Sequence, residues 1–316
     1  MRDEPLTIVF MGTPEFAVPS LLALLEGPDR VVGVVTQPDR PKGRGMEPTK
    51  SPVRLVAEGH AIAVLTPEKA SQPDFVGGIE ELAPDLIVVV AYGQILKRAL
   101  LNVPPLGTVN VHASLLPAYR GAAPINHAII DGRTVTGVTT MLLDEGMDTG
   151  DILLSREVAI GSDETAGELA GRLALAGAGL LIETIARLKD GSIAPAPQDH
   201  AQATRAPMLK KEDGLIDWSK PPTQIKDQIR GMTPWPGAFS RLDGQMIKIF
   251  GVREDSTASD APPGTIMRVA ADGIYVAAGG QIAVITDLQA PGKRRMDADQ
   301  FVRGKKIRVG SRLSPP

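Results

Sequence analysis

The sequence predicts an α/β protein: a mostly parallel sheet in an N-terminal domain, followed by a small OB-like β-barrel in a C-terminal domain. Three observations carry this. Short apolar runs alternate with helical stretches as far as residue 188. A segment rich in Pro, Ala and polar residues, D-G-S-I-A-P-A-P-Q-D-H-A-Q-A-T-R-A-P (190–207), then interrupts the pattern. Beyond about residue 235 only short strand-like runs remain, separated by Asp243-Gly244, Asp272-Gly273 and Gly279-Gly280. Strands alternating with helices imply a parallel sheet covered on both faces. Strands spaced by tight turns imply an antiparallel barrel.

The elements follow in order. L-T-I-V-F-M-G (6–12) reads as a buried strand ended by Gly12-Thr13-Pro14, and Phe16–Leu25 as a helix ended by Gly27-Pro28. R-V-V-G-V-V-T (30–36) is a second strand. Ser51 before Pro52 is a helix start, with a capping hydroxyl and a proline at the first helical position. Pro73–Ala83 is a helix, and D-L-I-V-V-V-A (85–91) and 107–113 are strands of the same sheet. Ile125–Ile130 is a short helix, with strands near 135–143 and 151–159 after it. Thr165–Leu188 is a long helix with apolar residues at helical spacing, although three glycines, Gly171, Gly177 and Gly179, lie inside it. The boundaries predicted are a domain over 1–190, a linker over 191–211 and a domain over 212–316.

Composition narrows the function. Net charge is −3 over 316 residues, so no strong global field draws in nucleic acid or acidic lipid. The parts differ, however: residues 1–211 hold 19 Lys/Arg against 25 Asp/Glu, and residues 212–316 hold 15 against 12. The absence of cysteine excludes disulfides, thiolate nucleophiles and Cys-ligated zinc. No signal-like stretch opens the chain and no apolar run reaches membrane-spanning length, so a soluble, cytoplasmic protein is expected.

The chemistry concentrates in two motifs. In T-V-N-V-H-A-S-L-L-P-A-Y-R-G-A-A-P (108–124), Asn110 and His112 alternate with valines and share one face of a strand. Ligands of open parallel sheets bind beyond the carboxyl ends of strands. There an imidazole can hold or move a proton and an amide can donate to a developing oxyanion. A hydrogen-bonded pair closing the sheet edge fits the pattern equally. In D-E-G-M-D-T-G-D (144–151), the spacing is not that of a calcium loop, and no metal is expected. Asp148 is the candidate for a buried acid that orients a histidine; Asp144 and Glu145 read as a solvated turn.

Other features carry less. Q-P-D-R-P-K-G-R-G (37–45) reads as a mobile basic arm, with Arg40, Lys42 and Arg44 able to touch phosphates. Gly12 lacks the dinucleotide fingerprint and reads as a strand-to-helix turn. Trp218 and Trp235 read as core anchors, and His60, His127 and His200 show no partner pattern.

N-V-H-A-S-L-L-P-A-Y-R-G-A-A-P together with D-E-G-M-D-T-G-D resembles the formyltransferases that use 10-formyltetrahydrofolate. F-M-G-T-P-E-F-A, T-Q-P-D-R-P-K-G-R-G, V-V-V-A-Y-G-Q-I-L and G-L-I-D-W extend the resemblance over nearly the whole chain. The basic arm and the C-terminal barrel point to the branch acting on methionyl initiator tRNA rather than on glycinamide ribonucleotide. The resemblance implies a Rossmann-like N-terminal domain, an OB-like tRNA-binding domain, and a monomer with 10-formyltetrahydrofolate as cosubstrate. It makes Asn110, His112 and Asp148 the catalytic three. Ser114, Leu115, Leu116 and Pro117 would line the folate site, and Arg40, Lys42 and Arg44 would approach the tRNA. One departure lies in the linker, where Arg205 and Met208 stand at positions usually Tyr and Lys.

The implied reaction is direct attack of the methionyl α-amino group on the formyl carbon. Such a group has a pKa of about 7.7–8.0 before esterification lowers it, so no powerful base is needed. Asn110 and protonated His112 would stabilise the oxyanion, with Asp148 orienting His112. A formyltransferase acting on a sugar nucleotide or other small amine, and a noncatalytic folate- or RNA-binding module, are the competing readings.

Overall fold

The computed structural model describes residues 4–42, 47–304 and 307–313, with only the backbone of Pro41, Lys42 and Glu47. Arg44 and the basic residues Lys305 and Lys306 therefore lie outside the described residues, as does the Lys42 side chain. The chain divides into two compact units. The first comprises Met1–Pro124, Val135–Ala159 and Ala170–Ala206; the second comprises Ile125–Thr134, Ile160–Leu169 and Pro207–Pro316. The segment expected as a linker is thus part of the first unit as far as Ala206.

The strands up to residue 159 are β1 (Thr7–Gly12), β2 (Arg30–Val35), β3 (Arg40–Lys42), β4 (Glu47–Thr49), β5 (Val64–Leu65), β6 (Leu86–Val90), β7 (Thr108–His112), β8 (Val135–Leu142) and β9 (Ile152–Ala159). The helices are α1 (Val18–Glu26), α2 (Pro52–Gly59), α3 (Pro73–Glu81), α4 (Arg98–Leu101), α5 (Pro124–Ile130) and α6 (Ala166–Asp190). The main sheet runs β5-β2-β1-β6-β7-β8-β9. The pairs from β5 to β7 are parallel, and β8 and β9 are added antiparallel.

Burial on both faces explains why the first strands are continuous apolar runs. Ile8, Phe10, Val88, Val109 and Val111 pack with Leu21 of α1, Val53 of α2 and Ile185 of α6. Val9, Met11, Ile87 and Val89 pack on the opposite face with Ile79 of α3 and Leu100 of α4. Asn110 pairs with Val89 and therefore points to that second face. The start of α2 is as expected: Ser51 Oγ accepts from the Arg54 amide at 3.0 Å.

The long helix expected over 165–188 is present: its glycines do not break it, and α6 is continuous over Ala166–Asp190. A Cβ on Gly177 would lie 2.8 Å from Val111 Cγ1, so this glycine lets α6 lie directly on β7. By length and apolar content α6 matches a membrane span, yet half of its apolar window is buried, as in a core helix. The arm over 37–45 is not a plain loop: Arg40 pairs with Thr49 and Lys42 with Glu47 in a two-stranded hairpin.

In the second unit, α7 (Pro222–Gly231) precedes β10 (Phe239–Leu242), β11 (Gln245–Asp255), β12 (Ile266–Ala270), β13 (Gly273–Ala278), β14 (Gln281–Gln289), β15 (Met296–Asp297) and α8 (Ala298–Gly304). The sheet is antiparallel, in the order β10-β11-β14-β13-β12 with β15 beside β14, compatible with the small barrel expected. Trp218 is a core anchor, fully buried with its Nε1 donating to Ser240 Oγ at 3.1 Å. Trp235 is not: it is 53% exposed, between Pro234 and Pro236.

Candidate active site

The parallel strands end at one edge of the main sheet, and β7 brings Asn110 and His112 to it. Both are buried, at 8% and 6% exposure, so neither serves as a solvated edge residue. No hydrogen bond to another described residue occupies the Asn110 carboxamide. His112 is held at both ring nitrogens. Its Nε2 lies 3.0 Å from the carbonyl oxygen of Tyr119, which can only accept, so Nε2 carries the proton. Its Nδ1 stands 3.6 Å from Asp148 Oδ1.

Asp148 comes from the turn between β8 and β9. Its backbone is left-handed, with φ +54°, a conformation Asp tolerates better than most residues. The other half of its carboxylate, Oδ2, accepts from the Gly121 amide at 2.8 Å. Asp144 closes the same turn: its carboxylate accepts from the Gly146 amide and from Thr149 Oγ1. This acid therefore has a structural task, whereas the sequence alone offered only a solvated turn. Among the described residues no group of three or more His, Asp or Glu is placed to hold a metal.

The segment after β7 wraps around His112. Ser114 is fully buried; its hydroxyl donates to the Ala118 carbonyl at 2.6 Å, and its own carbonyl accepts from Thr139 Oγ1 at 2.7 Å. The Leu116 amide donates back to Thr139 Oγ1 at 3.2 Å. Thr139 sits directly opposite His112 in the β7–β8 pair. Leu115 lies against Gly137, where a Cβ would meet Leu115 Cδ2 at 2.5 Å. Ser114 and Leu115 thus shape the turn, and Leu116 and Pro117 follow on it, with Leu116 buried and Pro117 half-buried.

Sequence reasoning missed the groups that hold His112 and Asp148. They are the Tyr119 carbonyl and the Gly121 amide, on a loop tied to a strap over 196–206. The Arg120 amide donates to the Thr204 carbonyl at 2.8 Å and the Ala206 amide to the Arg120 carbonyl at 2.7 Å. The Tyr119 amide donates to Thr204 Oγ1 at 2.8 Å. Backbone groups leave no signature in a sequence; Gly121 alone was a signal, since its φ of +126° favours glycine.

The basic arm contributes Arg40, exposed on the hairpin, with its Nη2 near Gln37 Oε1 at 3.5 Å. Its base is anchored: Arg54 bonds Asp39 at 2.9 Å and Glu58 at 2.8 Å, and Lys50 bonds Glu58 at 2.7 Å. Those contacts hold the Glu58 carboxyl below its ordinary range, Lys50 contributing most.

Comparison with known proteins adds the lineage. A model of the formyl transferase family matches residues 6–185, and one of the formyl transferase C-terminal domain matches residues 208–306. A methionyl-tRNA formyltransferase of Citrifermentans bemidjiense is 53% identical over 306 residues, covering 97% of this chain and 96% of that protein. One of Geobacter sulfurreducens is 49% identical, covering 98% and 96%. Among solved structures, an N-formyltransferase from Helicobacter canadensis in complex with folinic acid and dTDP-3-aminofucose has a TM-score of 0.66 at 18% identity, covering 90% of this chain and 98% of that one. HypX from Aquifex aeolicus in complex with tetrahydrofolic acid has a TM-score of 0.61 at 15% identity, covering 95% of this chain and 47% of that one. At such identities the likeness is one of fold. The two family models and the full-length relatives settle the lineage: the chain belongs to the formyl transferase family, in the branch of the methionyl-tRNA formyltransferases.

Proposed function

We propose that the protein transfers the formyl group of 10-formyltetrahydrofolate to the α-amino group of methionyl initiator tRNA, with Asn110, His112 and Asp148 as its catalytic residues. The observation that carries the assignment is the placement of His112 Nδ1 3.6 Å from Asp148 Oδ1, beside the unengaged carboxamide of Asn110. A bare amide donor at a strand end fits a carbonyl oxygen, and so fits a formyl group. The donor molecule supplies an activated formyl group on a nitrogen.

The chain's own residues do the rest. Asn110 donates to the formyl oxygen, where negative charge builds as the amine adds. His112, fixed by the Tyr119 carbonyl and by Asp148, presents its positive edge to the same charge. Asp148 keeps Oδ1 on the histidine side while Gly121 holds Oδ2, so its orientation survives substrate entry. The amine gives up one proton and the leaving nitrogen gains one; the Asp148 carboxylate holds it between the two events, since His112 is already protonated. The turn over Ser114, Leu115, Leu116 and Pro117 forms a wall of the folate site, with Ser114 and Leu115 shaping it and Leu116 and Pro117 toward the ligand.

Arg40, Lys42 and Arg44 of the basic arm meet phosphates of the tRNA, and residues 212–316 form the tRNA-binding domain, supported by the arm's charge and the C-terminal domain match. A formyl-transfer assay comparing charged initiator tRNA with small amines tests the function, and Asp148→Asn tests the site. Preference for a small amine, or wild-type turnover in Asp148→Asn, would overturn the corresponding part.

A further inference from the structure

Gln198 lies on the strap, far from the catalytic motifs in sequence, and is 6% exposed. A buried carboxamide is costly unless its donors and acceptor are met. All are met, and each partner belongs to the site. Gln198 Nε2 donates to the Asp148 carbonyl at 3.0 Å and to the Gly150 carbonyl at 2.7 Å. Gln198 Oε1 accepts from Arg120 Nε at 3.1 Å and from Arg120 Nη2 at 2.6 Å. Arg120 Nη2 also donates to His200 Nδ1 at 3.1 Å, which ties the guanidinium to the strap a second time.

The neighbours of these groups give the arrangement its meaning. Arg120 stands between Tyr119, whose carbonyl accepts from His112 Nε2, and Gly121, whose amide donates to Asp148. Asp148 itself is in the left-handed region, which a residue with a Cβ keeps most readily when its surroundings hold it. One carboxamide therefore ties the turn that carries Asp148 to the loop that carries both backbone partners of the pair.

We propose that Gln198 is a positioning residue for the His112–Asp148 pair, acting through the Asp148 peptide and Arg120; this rests on the reading of Asp148 as catalytic. The amide is required for its chemistry. Two carbonyls need two N–H donors and the guanidinium needs an acceptor. Glutamate supplies only the acceptor, and methionine supplies neither.

The test uses the full-length protein with charged initiator tRNA and 10-formyltetrahydrofolate. Gln198→Met and Gln198→Glu are expected to lower kcat by about 10- to 100-fold, the range for a catalytic group displaced by roughly 1 Å. KM for either substrate should stay within about threefold, since neither variant touches a ligand directly. In an Asp148→Asn background, measured by single turnover, Gln198→Met should cost less than about twofold more, because the two losses share one cause. Unaltered kcat, a loss confined to KM, or full additivity with Asp148→Asn overturns the proposal. Wild-type turnover in Asp148→Asn alone overturns the catalytic reading and this proposal together. Low turnover there with normal turnover in Gln198→Met overturns this proposal only. If the Gln198 variants do not fold, Arg120→Met releases Oε1 and leaves the strap's backbone bonds in place. It should lower kcat with KM held, and an unaltered kcat in Arg120→Met overturns the proposal equally.

Discussion

The amide of Gly121 donates to Asp148 Oδ2 at 2.8 Å, joining two loops that neither strand pairing nor apolar packing would bring into register. The same glycine has φ +126°, and a Cβ built on it would lie 2.5 Å from the Ala206 carbonyl oxygen. Gly121→Ala should therefore destabilise the protein by about 1–3 kcal/mol and lower kcat as the Asp148 contact is displaced. Urea denaturation and the formyl-transfer assay measure the two effects. Wild-type values in both would show that this loop yields without consequence.

Gly177 and Gly171 make opposite predictions on one helix. A Cβ at Gly171 meets nothing within 4 Å, so Gly171→Ala should stabilise by up to about 1 kcal/mol through helix propensity. At Gly177 the same change drives a methyl against Val111 in the core, and overpacking there costs about 1–3 kcal/mol. Gly177→Ala should be destabilising in the native background and should lose most of that cost in Val111→Ala. Equal effects of Gly177→Ala in both backgrounds would place the strain elsewhere.

Tyr92 is 1% exposed and its hydroxyl has no hydrogen-bond partner among the described residues. Tyr92→Phe should be neutral or stabilising by about 1 kcal/mol, since it deletes an unsatisfied polar group without changing shape. Burial pushes the phenol up to about 12 from an ordinary value of 10.0. The folded state thus favours the protonated phenol. Its contribution is complete below pH 10.0 and is lost as pH rises through about 12. Urea denaturation at rising alkaline pH should show wild type losing more stability across this window than Tyr92→Phe; parallel losses would contradict it.

Arg40 projects from a paired hairpin whose base is anchored by Asp39, Arg54, Glu58 and Lys50. If it meets a tRNA phosphate, Arg40→Ala should weaken tRNA use and make the salt dependence shallower by roughly 1 in log–log slope. The dependence of kcat/KM on salt concentration measures this, and a slope equal to wild type would remove Arg40 from the interface.

Much of the site was legible in the motifs. Alternation along 108–112 put Asn110 and His112 on one face because side-chain direction in a strand has period two. Asp148 stood out from Asp144 and Glu145 only through its apolar and glycine neighbours. The turn-closing bond from the Ser114 hydroxyl to the Ala118 carbonyl was not legible, because its partner is a backbone group. Trp235 was read as core because its hydrophobicity is local information and its exposure is not.

The sequence by itself determined the strand–helix alternation, the helix start at Ser51, the long helix over 165–188 and the two-part organisation, and it named Asn110, His112 and Asp148 as candidates. Those follow from periodicity, turn residues and functional groups, all properties of neighbouring positions. Only the tertiary structure decided that Gly177 presses that helix on Val111, that the arm is a hairpin, and that Gln198 bonds the Asp148 carbonyl. Each depends on what lies across space from a residue: a packed methyl, a paired strand, or a backbone carbonyl that every residue possesses. A carbonyl has no identity in the sequence, so the bonds that hold His112 and Asp148 in place could be read only once the chain had folded.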